Sequence, residues 1–117
     1  MDDLGAPVSH LVLGEGVPVY DRDGQRIGVV DRVMSDQITG IFEGLIIHTR
    51  PLPGRHLYAM HDQVAELRER GVLLSVRRDD LYDIRERPAP RTDGVEGGES
   101  PIAAQLRRAW DWLTGVR

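Results

Sequence analysis

The 117-residue sequence predicts a small, mainly β domain, then a linker and a C-terminal amphipathic helix. Two extended segments, Val17–Asp21 and Arg26–Met34, flank an Asp-Gly turn, which is a strong local signal of a β-hairpin. A markedly apolar strand follows at Ile41–Thr49. Between Arg85 and Glu99 the composition changes to Pro, Gly, Arg and Glu, as in a flexible linker. We therefore expect three parts: the β domain at 8–84, the linker at 85–99 and the helix at 100–116.

The first half of the domain is predicted to be a lead-in, a hairpin and a loop. Val8–Leu13 is predicted to be extended. The hairpin turns at Asp23 and Gly24, because a tight turn that matches the strand twist needs a positive φ, which glycine accepts at little cost. A loop over residues 36–40, with Gly40 as its turn residue, then leads to the apolar strand.

The apolar strand is expected to be covered on both faces. Alternation puts one set of side chains on one face and a second set on the other. The two sets are Phe42, Ile46 and His48, and Ile41, Leu45 and Ile47. Gly44 inside the strand indicates a bulge, a bend or a close backbone approach.

The second half of the domain is predicted to contain a loop, two short strands, a helix and a final turn. The prolines of Pro51–Gly54 require a loop because they lack backbone donors. Asp62–Arg70 is expected to be a short helix with Asp62 as its cap, Val64 and Leu67 on one face and Gly71 at its end. The remaining predicted elements are strands at His56–Met60 and Val72–Val76, and a turn at Asp79 or Asp80 that returns Leu81, Tyr82 and Ile84 to the core.

The C-terminal helix is predicted to begin with Ser100 as N-cap and Pro101 at its first position, and to end near Gly115. Its apolar face is expected to bind a partner through Ile102, Leu106, Ala109, Trp110 and Leu113, with Val116 beyond them. Arg107, Arg108 and Asp111 fall on the opposite face. Three uses of the apolar face stay open: packing on its own barrel or a twin subunit, engaging another protein with Trp110 as anchor, or lying on a membrane surface.

The order and spacing of these segments resemble the PRC-barrel family. The similarity runs from Leu11 to Ile84 and includes the Ile-Gly-Val-Val-Asp-Arg-Val strand, the Thr39-Gly40 turn and the Gly-Val-Leu-Leu-Ser segment at 71–75. The opening segments, Val8–Leu13 and Gly16–Tyr20, are similar to a small stand-alone bacterial branch, of actinobacterial type. The resemblance implies a small SH3-like β-barrel that serves as a docking surface and not as a catalyst.

The resemblance also limits the expected roles. Family members occur in the photosynthetic reaction centre H subunit and in ribosome-maturation factors, but these 117 residues contain neither a transmembrane helix nor a preceding maturation-factor domain. We expect a non-enzymatic adaptor that self-associates, as a homodimer, or docks a protein partner. The alternative is an RNA- or ribosome-associated accessory factor.

Composition argues against several other kinds of site. The chain has no cysteine, and its net charge of −4 disfavours nucleic-acid binding. Residues 101–117 carry three Arg and one Asp, which gives little attraction to anionic membranes. His10, His48, His56 and His61 lack a metal-ligand spacing, and the segment from Asp21 to Gly24 is better explained by a hairpin than by a calcium loop. We expect no catalytic residue, no metal and no cofactor, and a cytoplasmic location.

Overall fold

The computed structural model describes residues 4–49, 54–84 and 101–114, with the side chains of residues 101–103 and 114 left aside. Seven strands and one helix are present in these ranges. They are β1 (Pro18–Tyr20), β2 (Arg26–Ser35), β3 (Phe42–Thr49), β4 (His56–Met60), β5 (Val64–Arg68), β6 (Gly71–Leu74), β7 (Tyr82–Asp83) and α1 (Pro101–Thr114). Two 3₁₀ turns, His61–Gln63 and Arg78–Asp80, precede β5 and β7.

The strands form one curled sheet in the order β5-β6-β1-β2-β3-β4-β7. Neighbours are antiparallel except β1 and β6, which are parallel. No described strand joins β5 to β7, so the sheet is open and not a closed barrel. The predicted mainly β class with a C-terminal helix is confirmed.

The first turn is organised by Asp21. Its Oδ1 accepts hydrogen bonds from the backbone N–H groups of Asp23 and Gln25, both at 2.9 Å. Gly24 has a φ of 82°, in the left-handed region that favours glycine. Asp23 instead pairs with Arg77, at 2.9 Å between Oδ2 and Nε. The turn therefore depends on an aspartate at its first position, as in other Asx turns.

Strand β3 is buried on both faces, as its sequence predicts, but Ile41, which was expected on the covered face with Leu45 and Ile47, precedes the strand and is exposed. Leu45 and Ile47 lie in the main core, and Ile46 lies in a second cluster beneath α1. The prediction that Phe42 shares a face with Ile46 is wrong, because Phe42 packs against the main core. A register shift relative to β2 places one extra residue, Glu43, between Phe42 and Gly44, and the bulge reverses the alternation.

Gly44 lies where β3 closely approaches β4. A Cβ at this position would overlap the carbonyl oxygen of Ala59 and lie 2.6 Å from the Tyr58 ring. The predicted close backbone approach is therefore present.

The helix predicted at Asp62–Arg70 is absent. Residues His61–Gln63 form a single 3₁₀ turn, and β5 follows at once. Val64 pairs with Leu74 while Glu66 pairs with Leu73, so β5 contains an extra residue between them. This bulge puts Val64 and Leu67 on the same side of a strand, which imitates the three-residue spacing of a helix.

The extended lead-in predicted at Val8–Leu13 is also wrong. Residues 10–12 form a turn in which the Val12 N–H donates to the Ser9 carbonyl at 3.1 Å. Earlier residues cover the outer edge of β5, where Pro7 bridges Arg68 and the Val8 N–H donates to the Leu67 carbonyl at 2.9 Å.

Two apolar clusters lie on opposite faces of the sheet. The main core lies on one face, and the second cluster lies on the other, between the sheet and α1. Leu81 and Ile84 return to these clusters after the turn at Arg78–Asp80, as predicted. The prediction that Tyr82 returns with them is wrong, because Tyr82 lies on the edge strand β7 with its side chain exposed. The predicted linker at 85–99, the cap Ser100, the stop Gly115 and most of the loop at Pro51–Gly54 lie outside the described residues.

Candidate functional site

The apolar face of α1 packs on the outer face of its own sheet. Leu106 and Ala109 are fully buried there against Ile46, Tyr58 and Ile84. Trp110 and Leu113, two more of the residues predicted to bind a partner, are half-buried at the margin of this cluster. The side chain of Ile102, the fifth of that set, is outside the described part. Of the three uses left open by the sequence, the structure shows packing on the same chain: α1 lies on its own sheet.

Polar contacts fix the helix in place. The Tyr58 hydroxyl donates a hydrogen bond to Gln105 Oε1 at 2.8 Å, and both residues are buried. At the sheet margin, Arg108 Nη2 contacts both carboxylate oxygens of Glu43, at 2.7 and 2.9 Å. Burial raises the pKa of Tyr58, and the nearby Glu43 carboxylate raises it further. Tyr58 is therefore a neutral hydrogen-bond donor at physiological pH.

A cleft of about 530 Å³ opens between the end of β2 and the polar face of α1. Its sheet side is lined by the consecutive residues 32–38, and its helix side by Arg108, Asp111 and Trp112. The Arg32 guanidinium carbon lies 5.2 Å from the centre of the Trp112 ring, which is a cation–π contact across the cleft.

Exposed apolar side chains concentrate at the same end of the sheet. Among the described residues, five large apolar side chains are exposed, and four belong to two segments that contact each other. We call these four the apolar tip: Leu11, Val12, Ile38 and Ile41. Ile38 is the most exposed, at 95 %. The fifth, Tyr82, lies on β7 at the far edge of the sheet.

His10 joins the two segments of the apolar tip. Its Nε2 lies 2.8 Å from the Gly40 carbonyl oxygen, and its ring stacks on Phe42 with centroids 5.2 Å apart. The turn at residues 9–12 is thus held against the loop between β2 and β3. The apolar tip is a surface built from two parts of the chain and not a set of isolated side chains.

The loop that presents Ile38 is held by hydrogen bonds. Asp36 Oδ1 accepts from the backbone N–H groups of Ile38 and Thr39, at 2.8 and 2.9 Å. These two bonds, with Thr39 the stronger influence, hold the pKa of Asp36 below its usual value. The Gly40 N–H closes the loop onto the Asp36 carbonyl at 2.8 Å, and Gly40 has a φ of 74°. Ile38 is therefore exposed on a fixed scaffold.

Two further histidines, His48 and His56, lie opposite each other on β3 and β4. His48 and His56 stack with centroids 4.6 Å apart, and His56 Nε2 lies 3.0 Å from Asp31 Oδ2. Within the described ranges, no group of three histidine or carboxylate side chains has the arrangement needed to hold a metal ion.

Four of the ten arginines in the described ranges form ion pairs with carboxylates. The pairs are Arg55 with Asp83, Arg68 with Glu66, Arg77 with Asp23 and Arg108 with Glu43. Arg32 differs, because its described contact is the ring of Trp112. The cleft therefore contains an exposed cation whose charge is not used in an ion pair with any described carboxylate.

The sequence pattern does not predict the apolar tip. Leu11 and Val12 belong to the segment predicted to be an extended lead-in. A detectable signal was Ile38, a large β-branched residue inside a loop bounded by Asp36 and Gly40. An apolar residue at such a position has no obvious core to enter.

The chain matches a known family model. The family model of the PRC-barrel domain matches residues 15–87, more than half of the chain. A search of curated proteins finds none that matches. Among the described residues, no helix has the length and apolar character needed to cross a membrane.

Proposed function

We propose, starting from the fact that the chain belongs to the PRC-barrel domain family, that it is a non-enzymatic docking module. Domains of this family are protein-interaction modules and are generally non-catalytic. The partner is a protein, and the surface that binds it is the apolar tip. The homodimer predicted from the sequence stays a prediction, which light scattering over a range of concentrations measures.

The apolar tip is the observation that supports this proposal most strongly. Its four large apolar side chains are 65–95 % exposed, and a partner that covered them would remove this apolar surface from water. Burying one such side chain fully contributes about 1.5–3 kcal/mol. The supporting turns are already hydrogen-bonded, so little ordering cost accompanies binding.

The charge distribution favours a protein over a nucleic acid as partner. Binding to nucleic acid requires several cations that can neutralise phosphates. The four arginines of the described ion pairs would first have to leave their carboxylates. The net charge of −4 adds repulsion at long range.

The test compares two variants in which exposed apolar residues are replaced by serine. Proteins retained from a host extract by the full chain are purified and their affinities measured individually. The Leu11→Ser/Ile38→Ser variant removes apolar surface from the tip, and Tyr82→Ser removes it from the far edge. We expect the tip variant to bind at least about tenfold more weakly and the Tyr82 variant to bind like the wild type.

Two outcomes would contradict the proposal. One is a partner whose affinity is the same for the wild type and the tip variant. The other is a wild-type chain that retains no protein beyond those retained by the tip variant. Circular dichroism of each variant establishes that the fold is kept.

A further inference from the structure

Strand β2 extends beyond the strand that covers its outer edge. Val30 exchanges backbone hydrogen bonds with this neighbour: its N–H donates to Val17 at 2.8 Å and its carbonyl accepts from Gly16 at 2.7 Å. From Arg32 to Ser35, β2 pairs with β3 on one side. On the other side no described strand pairs with it. This stretch is an internal edge of the sheet, with alternate backbone groups directed away from β3.

The cleft next to α1 runs along this edge. Its lining includes Val33, which packs towards the main core, and Met34, which packs towards the helix. Successive side chains of a strand point to opposite faces. A cleft lined by consecutive residues of both kinds reaches the edge of the strand, where the backbone between them is accessible.

The opposite wall of the cleft supplies side chains that suit an extended chain. Trp112 offers an aromatic surface, and Arg32 extends across the cleft towards it. An arginine in a cation–π contact keeps N–H groups in the plane of its own guanidinium that can bind a carboxylate. The groove between a sheet edge and a helix is a geometry in which peptides bind as added strands.

We propose that this cleft binds an extended segment of the partner as an additional strand on β2, with a carboxylate of that segment bound by Arg32. The inference rests on the proposed docking function and specifies its mode of binding. Ile38 lies both in the apolar tip and in the cleft lining, so the two surfaces are continuous. The free edge, Arg32–Ser35, accommodates about four residues, roughly 13 Å of strand.

A second copy of this chain is a poorer occupant. Its β5 edge is covered by residues 6–8, and its β7 has two residues. Pairing β2 with β2 of another copy would match only the short edge Arg32–Ser35 of each chain, and two copies with a net charge of −4 each repel one another. A different protein with an acidic extended segment fits the cleft better.

The test selects peptides from a random displayed library on the full chain and measures the selected peptides in solution. We expect sequences with an acidic residue between apolar residues. NMR shifts should map to Arg32–Ser35 and to the Trp112 indole. N-methylation of alternate peptide amides should weaken binding at least tenfold at one set of positions and little at the other, because a strand bonds its neighbour with a period of two.

A charge exchange provides the decisive control. Arg32→Glu should bind the selected peptides at least tenfold more weakly, and replacing the peptide's acidic residue by lysine should restore the affinity. Failure to enrich any peptide, or equal binding to the wild type and Arg32→Glu, would overturn the inference. Dimerisation of the full chain that Arg32→Glu abolishes would overturn it in favour of self-pairing.

The two proposals fail in different ways. If the purified partner loses affinity for Leu11→Ser/Ile38→Ser but binds Arg32→Glu like the wild type, the docking function stands and strand addition is wrong. If selected peptides bind at β2 but the purified partner binds Leu11→Ser/Ile38→Ser like the wild type, strand addition stands and docking through the apolar tip is wrong.

Discussion

The Tyr58 hydroxyl donates a 2.8 Å hydrogen bond to Gln105 Oε1 beneath helix α1, where both residues are buried. This bond joins β4 to the C-terminal helix in a region that is otherwise apolar. It selects one position of the helix on the sheet, because any sliding of α1 would leave two buried polar groups without partners. The position of α1 in turn forms one wall of the cleft.

Removing this hydrogen bond should destabilise the chain. Tyr58→Phe leaves Gln105 Oε1 buried without its donor, which costs about 1–3 kcal/mol in the free energy of unfolding. The double variant Tyr58→Phe/Gln105→Leu should cost less than the sum of the two single changes, since no polar group is then left without its partner. Urea denaturation of the four proteins measures the coupling. Additive costs would show that the two side chains act independently.

Alkaline pH should destabilise the wild type more than Tyr58→Phe. The pKa of Tyr58 is raised above its ordinary value of 10.0 in the folded chain. Its contribution to stability is therefore complete below about pH 10 and is lost as the pH rises towards the folded pKa. The wild type should lose about 1.4 kcal/mol per pH unit relative to the variant above pH 10. Parallel stability curves between pH 9 and 11.5 would contradict this assignment.

Removing the helix should lower the free energy of unfolding without changing the number of subunits. A chain ending at residue 88 exposes Ile46, Tyr58 and Ile84, at a net cost of about 2–4 kcal/mol after allowance for the entropy of ordering the helix. Thermal unfolding and binding of an apolar dye measure the exposure. Light scattering should give the same number of subunits for both chains. A full chain of twice the mass of the truncated one would mean that α1 mediates assembly.

Glycine 44 should be far less replaceable than Gly14. In Gly44→Ala the new methyl group would overlap the Ala59 carbonyl, so β3 and β4 must separate, at about 1–3 kcal/mol. At Gly14 the nearest atom to a new Cβ is 3.9 Å away, so alanine there should change stability by less than about 0.5 kcal/mol. Denaturation midpoints of the two variants test the difference. Equal midpoints would show that the strands are not held this closely.

Sequence reasoning succeeded where a structure depends on neighbouring residues. The hairpin at Gly24 and the apolar strand β3 follow from local turn chemistry and alternation. It failed at β5, because the bulge after Val64 is defined by pairing with β6 and not by β5 alone. Taken alone, the three-residue spacing of Val64 and Leu67 predicts a helix.

The candidate site was harder to predict for a related reason. The apolar face of α1 was identified correctly as a surface that must be buried, but its partner, the outer face around Ile46 and Tyr58, is defined only by the assembled sheet. The apolar tip exists because His10 brings two distant segments together. Neither relationship is present in a local stretch of sequence.

The docking function is tested most directly by photo-crosslinking in the native host. A photo-reactive amino acid replaces Ile38 in one strain and Tyr82 in another, so both chains carry the probe at an exposed apolar position. Our account predicts one discrete crosslinked protein from position 38 and none, or far less, from position 82. The same adducts from both positions, or none from position 38, would contradict it.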